Sequence, residues 1–271
     1  MSTLRITVLG CGSSGGVPRI GPDGPMWGAC DPANPRNRRR RCALLAQRIG
    51  AQGATTVLID AGPDMREQLI DAGAGRLDAV VLTHDHADHV HGIDDLRMVA
   101  FNRKARVPCW MDARTEATMM RRFGYVFETP PGSNYPPILD RHRIAGPVRI
   151  DGPGGELVLH PFEVPHGEIT ALGFRIGPVV YTPDISQMSD AAWAALERAE
   201  CWLLDALRYR PHPSHPDIET ALAWVKRVAS PLTYLTNMHI DVDYATLEAE
   251  TPRNVHPAHD GLVLEYPLGE S

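Results

Sequence analysis

The sequence contains no C-x-x-C pair, and its five cysteines (Cys11, Cys30, Cys42, Cys109 and Cys201) are odd in number. That argues against a disulfide framework and against a zinc ribbon. No run of about 18 apolar residues is present, so no helical membrane span is expected. The start of the chain lacks a basic segment followed by a long apolar one, so no signal peptide is expected either. A cytoplasmic, reducing location is the simple reading. Positive charge is not in excess: 27 Lys and Arg stand against 33 Asp and Glu, a net charge of −6. A basic face for long nucleic acid is therefore not expected, and any polyanion contact has to be local. There is no G-K-[ST] phosphate loop, no internal repeat and no linker between two compositions.

What is there is an ordinary globular composition, 43% hydrophobic and 22% charged over 271 residues, long enough to bury a proper core. With 24 Gly and 24 Pro, turns are many and helices do not dominate. The pattern predicts strands over Leu4–Leu9, Cys42–Ile49, Thr55–Asp60, Asp78–Thr83, Val107–Met111, Glu156–Val164, Ala171–Ile176, Val179–Thr182, Cys201–Asp205, Leu232–Thr236 and Leu262–Tyr266. It predicts helices over Asp64–Ala72, Val90–Ala100, Ala113–Phe123, Ser189–Arg198 and Pro216–Val228, and a proline-rich loop over Glu128–Pro137. One domain over 1–271 is expected, with sheets inside and helices outside.

Gly10-Cys11-Gly12-Ser13-Ser14-Gly15 matches G-x-G-x-x-G after a strand. A dinucleotide site needs a helix to open there. Gly16, Pro18, Gly21, Pro22, Gly24 and Pro25 follow instead, and no helix starts among them. A tight turn and an anion-binding loop both remain open at this point.

The informative segment is Thr83-His84-Asp85-His86-Ala87-Asp88-His89 at a strand end. The i, i+2 spacing puts the imidazoles of His84 and His86 on one side of an extended turn. Asp88 and His89 are offset and can serve a second metal. Imidazole with carboxylate suits zinc first, with manganese or iron as alternatives. The bland alternative is a solvated polar loop.

This H-x-H-x-D-H run resembles the metallo-β-lactamase superfamily of hydrolases. The resemblance implies further ligands, and candidates follow in order: His166 in Pro165-His166-Gly167, Asp184 in Thr182-Pro183-Asp184, and His239 in Asn237-Met238-His239. It also implies that Asp60 braces the metal loop. Covering about Leu4 to Glu265, it implies an α+β fold, a four-layer αββα sandwich. Leu9 to Pro18 and the Asn37–Arg41 segment look like the phosphodiesterase branch that includes the phosphoribosyl cyclic-phosphate phosphodiesterase. So does Asp205 to Val225, with His212-Pro213-Ser214-His215.

There are three departures from that branch. Cys30 stands alone, so its separate structural zinc is not expected here. The usual L-T-H ligand position reads Leu235-Thr236-Asn237, with His239 two residues on. Cys42 stands where a small serine is usual. The Arg36–Arg41 run is either a solvated face or the source of one or two contacts to a substrate phosphate.

The resemblance thus implies two divalent ions. His84, His86 and His166 would hold one, Asp88, His89 and His239 the other, and Asp184 would bridge them. A hydroxide between the ions would attack a small cyclic or nucleotide-like phosphodiester. Asp88, Asp184 and His215 form the expected catalytic set. Ser214-x-x-Asp217 reads as a helix cap with Pro216 in the first turn, placing His215 at a helix start to serve the leaving group. The alternatives are a nuclease, a lactone or thioester hydrolase on the same residues, or a non-catalytic nucleotide-binding protein. No membrane partner is expected, and a homodimer is left open.

Overall fold

A computed structural model describes residues 2–228 and 232–269. The ends of the expected 1–271 domain, and residues 229–231 within it, lie outside the described residues. In chain order the strands are β1 (Ser2–Gly10), β2 (Arg19–Gly21), β3 (Gly24–Met26), β4 (Ala43–Gly50), β5 (Gly53–Ile59), β6 (Ala79–Val81), β7 (Val107–Met111), β8 (Leu139–Arg143), β9 (Val148–Ile150), β10 (Leu157–His166), β11 (Ile169–Ile176), β12 (Val179–Thr182), β13 (Cys201–Asp205), β14 (Leu232–Thr236), β15 (Val255–Pro257) and β16 (Val263–Leu268). The helices are α1 (Met65–Asp71), α2 (Ala87–Val90), α3 (Leu96–Arg103), α4 (Ala113–Phe123), α5 (Asp190–Ala195), α6 (Ile218–Val228) and α7 (Tyr244–Glu250). The fold class is α+β, two seven-stranded sheets with helices.

The chain divides into two compact units. The first takes the residues up to Thr7, Ala43–Leu159 and those from Val263 on. Its sheet runs β16-β1-β4-β5-β6-β7-β8. β4 and β5 form an antiparallel hairpin, and β5, β6, β7 and β8 are mutually parallel. β6 reads Ala-Val-Val and is wholly buried, the apolar run expected of a parallel strand covered on both faces. Buried Leu58, Ile59, Val80 and Val81 form the core under the strand ends that carry the histidine loop.

The second unit takes Val8–Cys42 and His160–Leu262. β12, β13, β14 and β15 are parallel, while β10 and β11 continue the sheet in antiparallel fashion. Trp202, fully buried on β13, donates its indole N–H to Thr182 Oγ1 at 2.9 Å and ties β13 to the end of β12. Asp184, Asp205 and Asn237 stand at or just past the carboxyl ends of β12, β13 and β14. Open α/β sheets commonly bind ligands at such ends.

The expected helix over Val90–Ala100 is in fact broken. α2 stops at Val90, a short 3₁₀ turn covers Ile93–Asp95, and α3 runs from Leu96. Gly92 sits at the break because the chain crosses Gly62 there, and its N–H donates to Ala61 O at 2.9 Å. A Cβ at Gly92 would overlap the carbonyl oxygen of Gly62. Gly92→Ala should therefore lower unfolding stability by about 1–3 kcal/mol through overpacking against backbone. Equilibrium denaturation checks this, and an unchanged midpoint would contradict it.

Candidate metal centre

In the first unit the site starts at Asp60, just past β5. Its backbone is left-handed (φ 68°), a conformation that Asp tolerates better than most residues. Its N–H is tied to Val81 O at 2.9 Å. The buried carboxylate accepts from Thr83 N at 2.8 Å, from Thr83 Oγ1 at 2.9 Å and from His89 Nδ1 at 2.7 Å. Thr83 has one hydroxyl proton and gives it to Asp60. Its oxygen therefore accepts from His84 Nδ1, 2.9 Å away. One carboxylate thus sets the tautomer of two histidines, one directly and one through a hydroxyl. In both rings Nε2 is the nitrogen left with a lone pair for a cation. Burial pushes the Asp60 carboxyl up, and the adjacent His89 and Thr83 donors oppose that.

His89 Nε2 lies 3.6 Å from Asp88 Oδ2, a pair that can share an ion. The ligating atoms of His84 and His86 lie within 4.8 Å of each other. The loop is stitched to its surroundings by Ala61 N donating to His89 O at 2.7 Å. Arg122 also donates, to Asp85 O, at 2.7 Å. Asp60→Asn removes the acceptor that orients His84 and His89. Metal affinity should fall about 10–100-fold. Competitive chelator titration checks this, and unchanged affinity would exclude the bracing role.

In the second unit His166 ends β10, nearly fully buried, and donates Nδ1–H to Ser214 O at 2.8 Å. A carbonyl can only accept, so Nε2 carries the lone pair. That nitrogen faces Asp184 Oδ2 at 3.3 Å. Two buried acceptors at this distance repel unless a proton or a cation stands with them. The donor set therefore fits a divalent cation. His215 donates Nδ1–H to Asp205 Oδ2 at 2.7 Å, and its Nε2 lies 4.0 Å from Asp184 Oδ2. Burial pushes the Asp205 carboxyl up, and the His215 ring holds it down.

Asn237 occupies the end of β14 with left-handed backbone (φ 60°). Its Nδ2 donates to Pro183 O at 3.1 Å and to Asp184 Oδ1 at 3.3 Å. His239 lies apart from that contact, with Nδ1 3.1 Å from Asp241 Oδ2. Burial, then the charge of Arg19, lowers its pKa and favours the neutral ring that a metal requires.

Three local expectations change form. Ser214 does not cap a helix: α6 begins at Ile218, and Asp217 Oδ1 accepts from Thr220 N at 2.8 Å. His215 is held by Asp205 and lies before the helix. The glycine loop is a packed turn, because the amides of Gly12, Ser13, Gly16 and Val17 go to Arg40, Met238, Ser13 and Arg39 carbonyls. A Cβ at Gly12 would lie 2.9 Å from Arg39 Cβ. The arginine run divides. Arg36 and Arg38 are exposed and lie over the rings of Tyr244 and Trp27, and Arg40 pairs with Asp260. Arg39 is 1% exposed and donates to Val242 O at 2.8 Å. Cys30 packs with Val17 and Ile240.

Thr83, Asp205 and the carbonyl of Ser214 are site-supporting groups that the sequence alone does not single out. For Asp205 a signal exists: a carboxylate closing a wholly apolar strand, Cys-Trp-Leu-Leu-Asp.

The sequence pattern of the beta-lactamase superfamily domain matches residues 55–240. A solved structure described as a new diphosphatase from the PhnP family is 34% identical. It covers 98% of both chains with a TM-score of 0.86. A curated octanoyltransferase from Porphyromonas gingivalis is 31% identical over 264 residues, which is 96% of this chain and 51% of that protein. A ribonuclease Z from a Bradyrhizobium species is 42% identical over 64 residues, 23% of this chain and 20% of that protein. The chain thus spans about half the length of the first curated relative and a fifth of the second.

Proposed function

The chain belongs to the beta-lactamase superfamily, in the phosphodiesterase branch where the PhnP-family diphosphatase stands, and from that premise we propose that it is a dinuclear metal-dependent phosphodiesterase acting on a small substrate. The observation that carries this reading is the buried His166–Asp184 pair, two acceptors face to face at 3.3 Å. In our reading His84, His86 and His166 hold one ion. Asp88, His89 and His239 hold the other, with Asp184 shared. Zinc fits this donor set first, with manganese or iron as alternatives. Two such ions supply charge for phosphoryl oxygens and a lowered pKa for water.

The chain's own groups do the rest. Asp60 and Thr83 fix the rings of His84 and His89, and the Ser214 carbonyl fixes His166. Asn237, committed as a donor to Asp184 and Pro183, steadies the shared carboxylate. We assign the ligand role to His239, whose Nδ1 accepts from the backbone N–H of Asp241 at 3.3 Å and lies 3.1 Å from Asp241 Oδ2. His215, held at Nδ1 by Asp205, presents Nε2 to carry a proton for the leaving oxygen. Among the described residues no helix is long and apolar enough to cross a membrane.

The test uses bis(p-nitrophenyl) phosphate, a thioester and a lactone, each before and after chelation. Chelator-sensitive turnover of the phosphodiester above the other two is expected. A preference for the thioester or lactone would move the protein to another hydrolase class, and no turnover of any would favour a binding protein. In the same series His239→Ala should lose one ion per chain while Asn237→Ala keeps both. The reverse would transfer the ligand role to Asn237.

A further inference from the structure

In the first unit, His84 and His89 are buried, and Asp60 and Thr83 set their rings. His86 differs. It is exposed and meets His84 edge to face, with ring centres 4.6 Å apart. A ring so placed takes its direction from its own backbone. That backbone is extended (φ −68°, ψ 149°) at the start of α2. Hydrogen bonds pin the peptide groups on either side of it. The carbonyl of His86 itself accepts from His89 N at 3.1 Å. The carbonyl before it, that of Asp85, accepts from Arg122 Nη1 at 2.7 Å. With both peptide planes held, φ and ψ of His86 are held, and its Cβ points one way. Only the few staggered rotamers of the side chain remain to be chosen.

The sequence delivers Arg122 to this carbonyl through the order of the strands. β6 and β7 are parallel neighbours, and Leu82 N donates to Trp110 O at 2.9 Å. The helix that follows β7 therefore lies beside the loop that follows β6. Asp112 caps that helix, α4, by accepting from Thr115 N at 2.7 Å. The buried residues of α4 are Thr115, Thr118 and Met119. Arg122 is i+4 from Thr118 and i+3 from Met119, so it falls on the same stripe. Its stem lies along the docked face while the residue as a whole stays exposed. Phe123, next along, meets His91 edge to face with ring centres 5.4 Å apart. Arg114, in the first turn, sets Nε 4.0 Å from Asp85 Oδ1. α4 thus grips the histidine–aspartate segment at Asp85 and again at His91.

Resting on the proposed assignment of His86 as a metal ligand, we propose that Arg122 is the positioning residue of His86: by holding the Asp85 carbonyl it fixes the direction in which the exposed imidazole is offered to a divalent cation. Charge alone would act the other way, because Arg122 is a cation and repels one. The gain comes through the hydrogen bond, which a charged donor makes short and strong. Removing Arg122 should therefore weaken metal binding, although it removes a positive charge from the neighbourhood.

The experiment titrates cobalt(II) chloride against a chromophoric chelator, with the metal-free full chain as native protein, Arg122→Met, Arg122→Lys and Arg121→Met. Arg121 is the adjacent exposed cation, and it donates to Thr118 Oγ1 at 3.0 Å. Arg122→Met should bind one cobalt ion about 10–100-fold less tightly, the usual cost of losing a group that orients a ligand. Arg122→Lys keeps a charged donor and should lose less. Arg121→Met removes the same charge but leaves the Asp85 contact, and should bind cobalt at least as tightly as the native protein. The metal-free denaturation midpoints of Arg122→Met and Arg121→Met should agree, which separates a turned ligand from a loosened helix. Unchanged or tighter cobalt binding in Arg122→Met overturns the proposal. So does an equal loss in Arg121→Met, or an Arg122→Lys variant no better than Arg122→Met. If the native protein binds no cobalt, the metal reading itself fails and takes the proposal with it. If it binds cobalt and Arg122→Met matches it, the positioning role alone fails.

Discussion

Asp184→Asn should reduce phosphodiester turnover by about 10³-fold or more. Asp184 is 3% exposed, and one of its oxygens faces the lone-pair nitrogen of His166 while the other accepts from Asn237. Asparagine keeps the shape but removes the charge that two cations would share. Charge stabilisation by metal in phosphoryl transfer is worth several kcal/mol. At about 1.4 kcal/mol per factor of ten, a loss of about 4 kcal/mol is a thousandfold. Metal content should fall along with activity, because the shared carboxylate is proposed to bind both ions. A variant with native turnover and full metal content would remove Asp184 from the centre.

His215→Ala should cost about 10²–10⁴-fold in turnover, the usual worth of general acid help. Its ring is fixed at Nδ1 by Asp205, so the proton to be given must sit on Nε2. That nitrogen is 4.0 Å from Asp184 Oδ2, against 3.3 Å for His166, which suits a proton carrier beside the ions better than a ligand. The two metals should therefore stay bound. The deficit should shrink for a leaving group acidic enough to depart as an anion, such as p-nitrophenolate, and grow for an alkoxide. Equal deficits for both would transfer His215 to phosphate binding. Loss of metal would make it a ligand.

The histidine–aspartate loop is legible in the sequence because its candidate ligands are neighbours along one short segment. His84, His86, Asp88 and His89 need no knowledge of which strand lies beside which. Asp60 could be named only through the family resemblance, and its hold on His84 through Thr83 only from coordinates. The same applies to Asp205. It reads as the last residue of a strand until β13 is set between β12 and β14, which brings it to His215.

Among the elements, the apolar strands β7, β12, β13 and β14 fall on their expected residues. β8 is a strand that reads Leu-Asp-Arg-His-Arg, an edge whose polar composition hides it. The short hairpin β2–β3 reads Arg-Ile-Gly and Gly-Pro-Met, and its Gly and Pro carry turn signals. α7 was hidden by its brevity, although Asp243 caps it by accepting from Thr246 N at 2.9 Å. The helix start near His215 shifts because Pro216 O is taken by Leu207 N at 3.1 Å, which leaves Asp217 to cap.

In the proposed site His84, His86, Asp88, His89, His166, Asp184 and His239 together hold two divalent ions. The most direct measurement is elemental analysis of gently purified protein, calibrated by amino-acid analysis. About two metal ions per chain are expected, both removed by chelation together with phosphodiester turnover. One ion or none after metal reconstitution would contradict it. So would a third ion that shields Cys30 from thiol reagents.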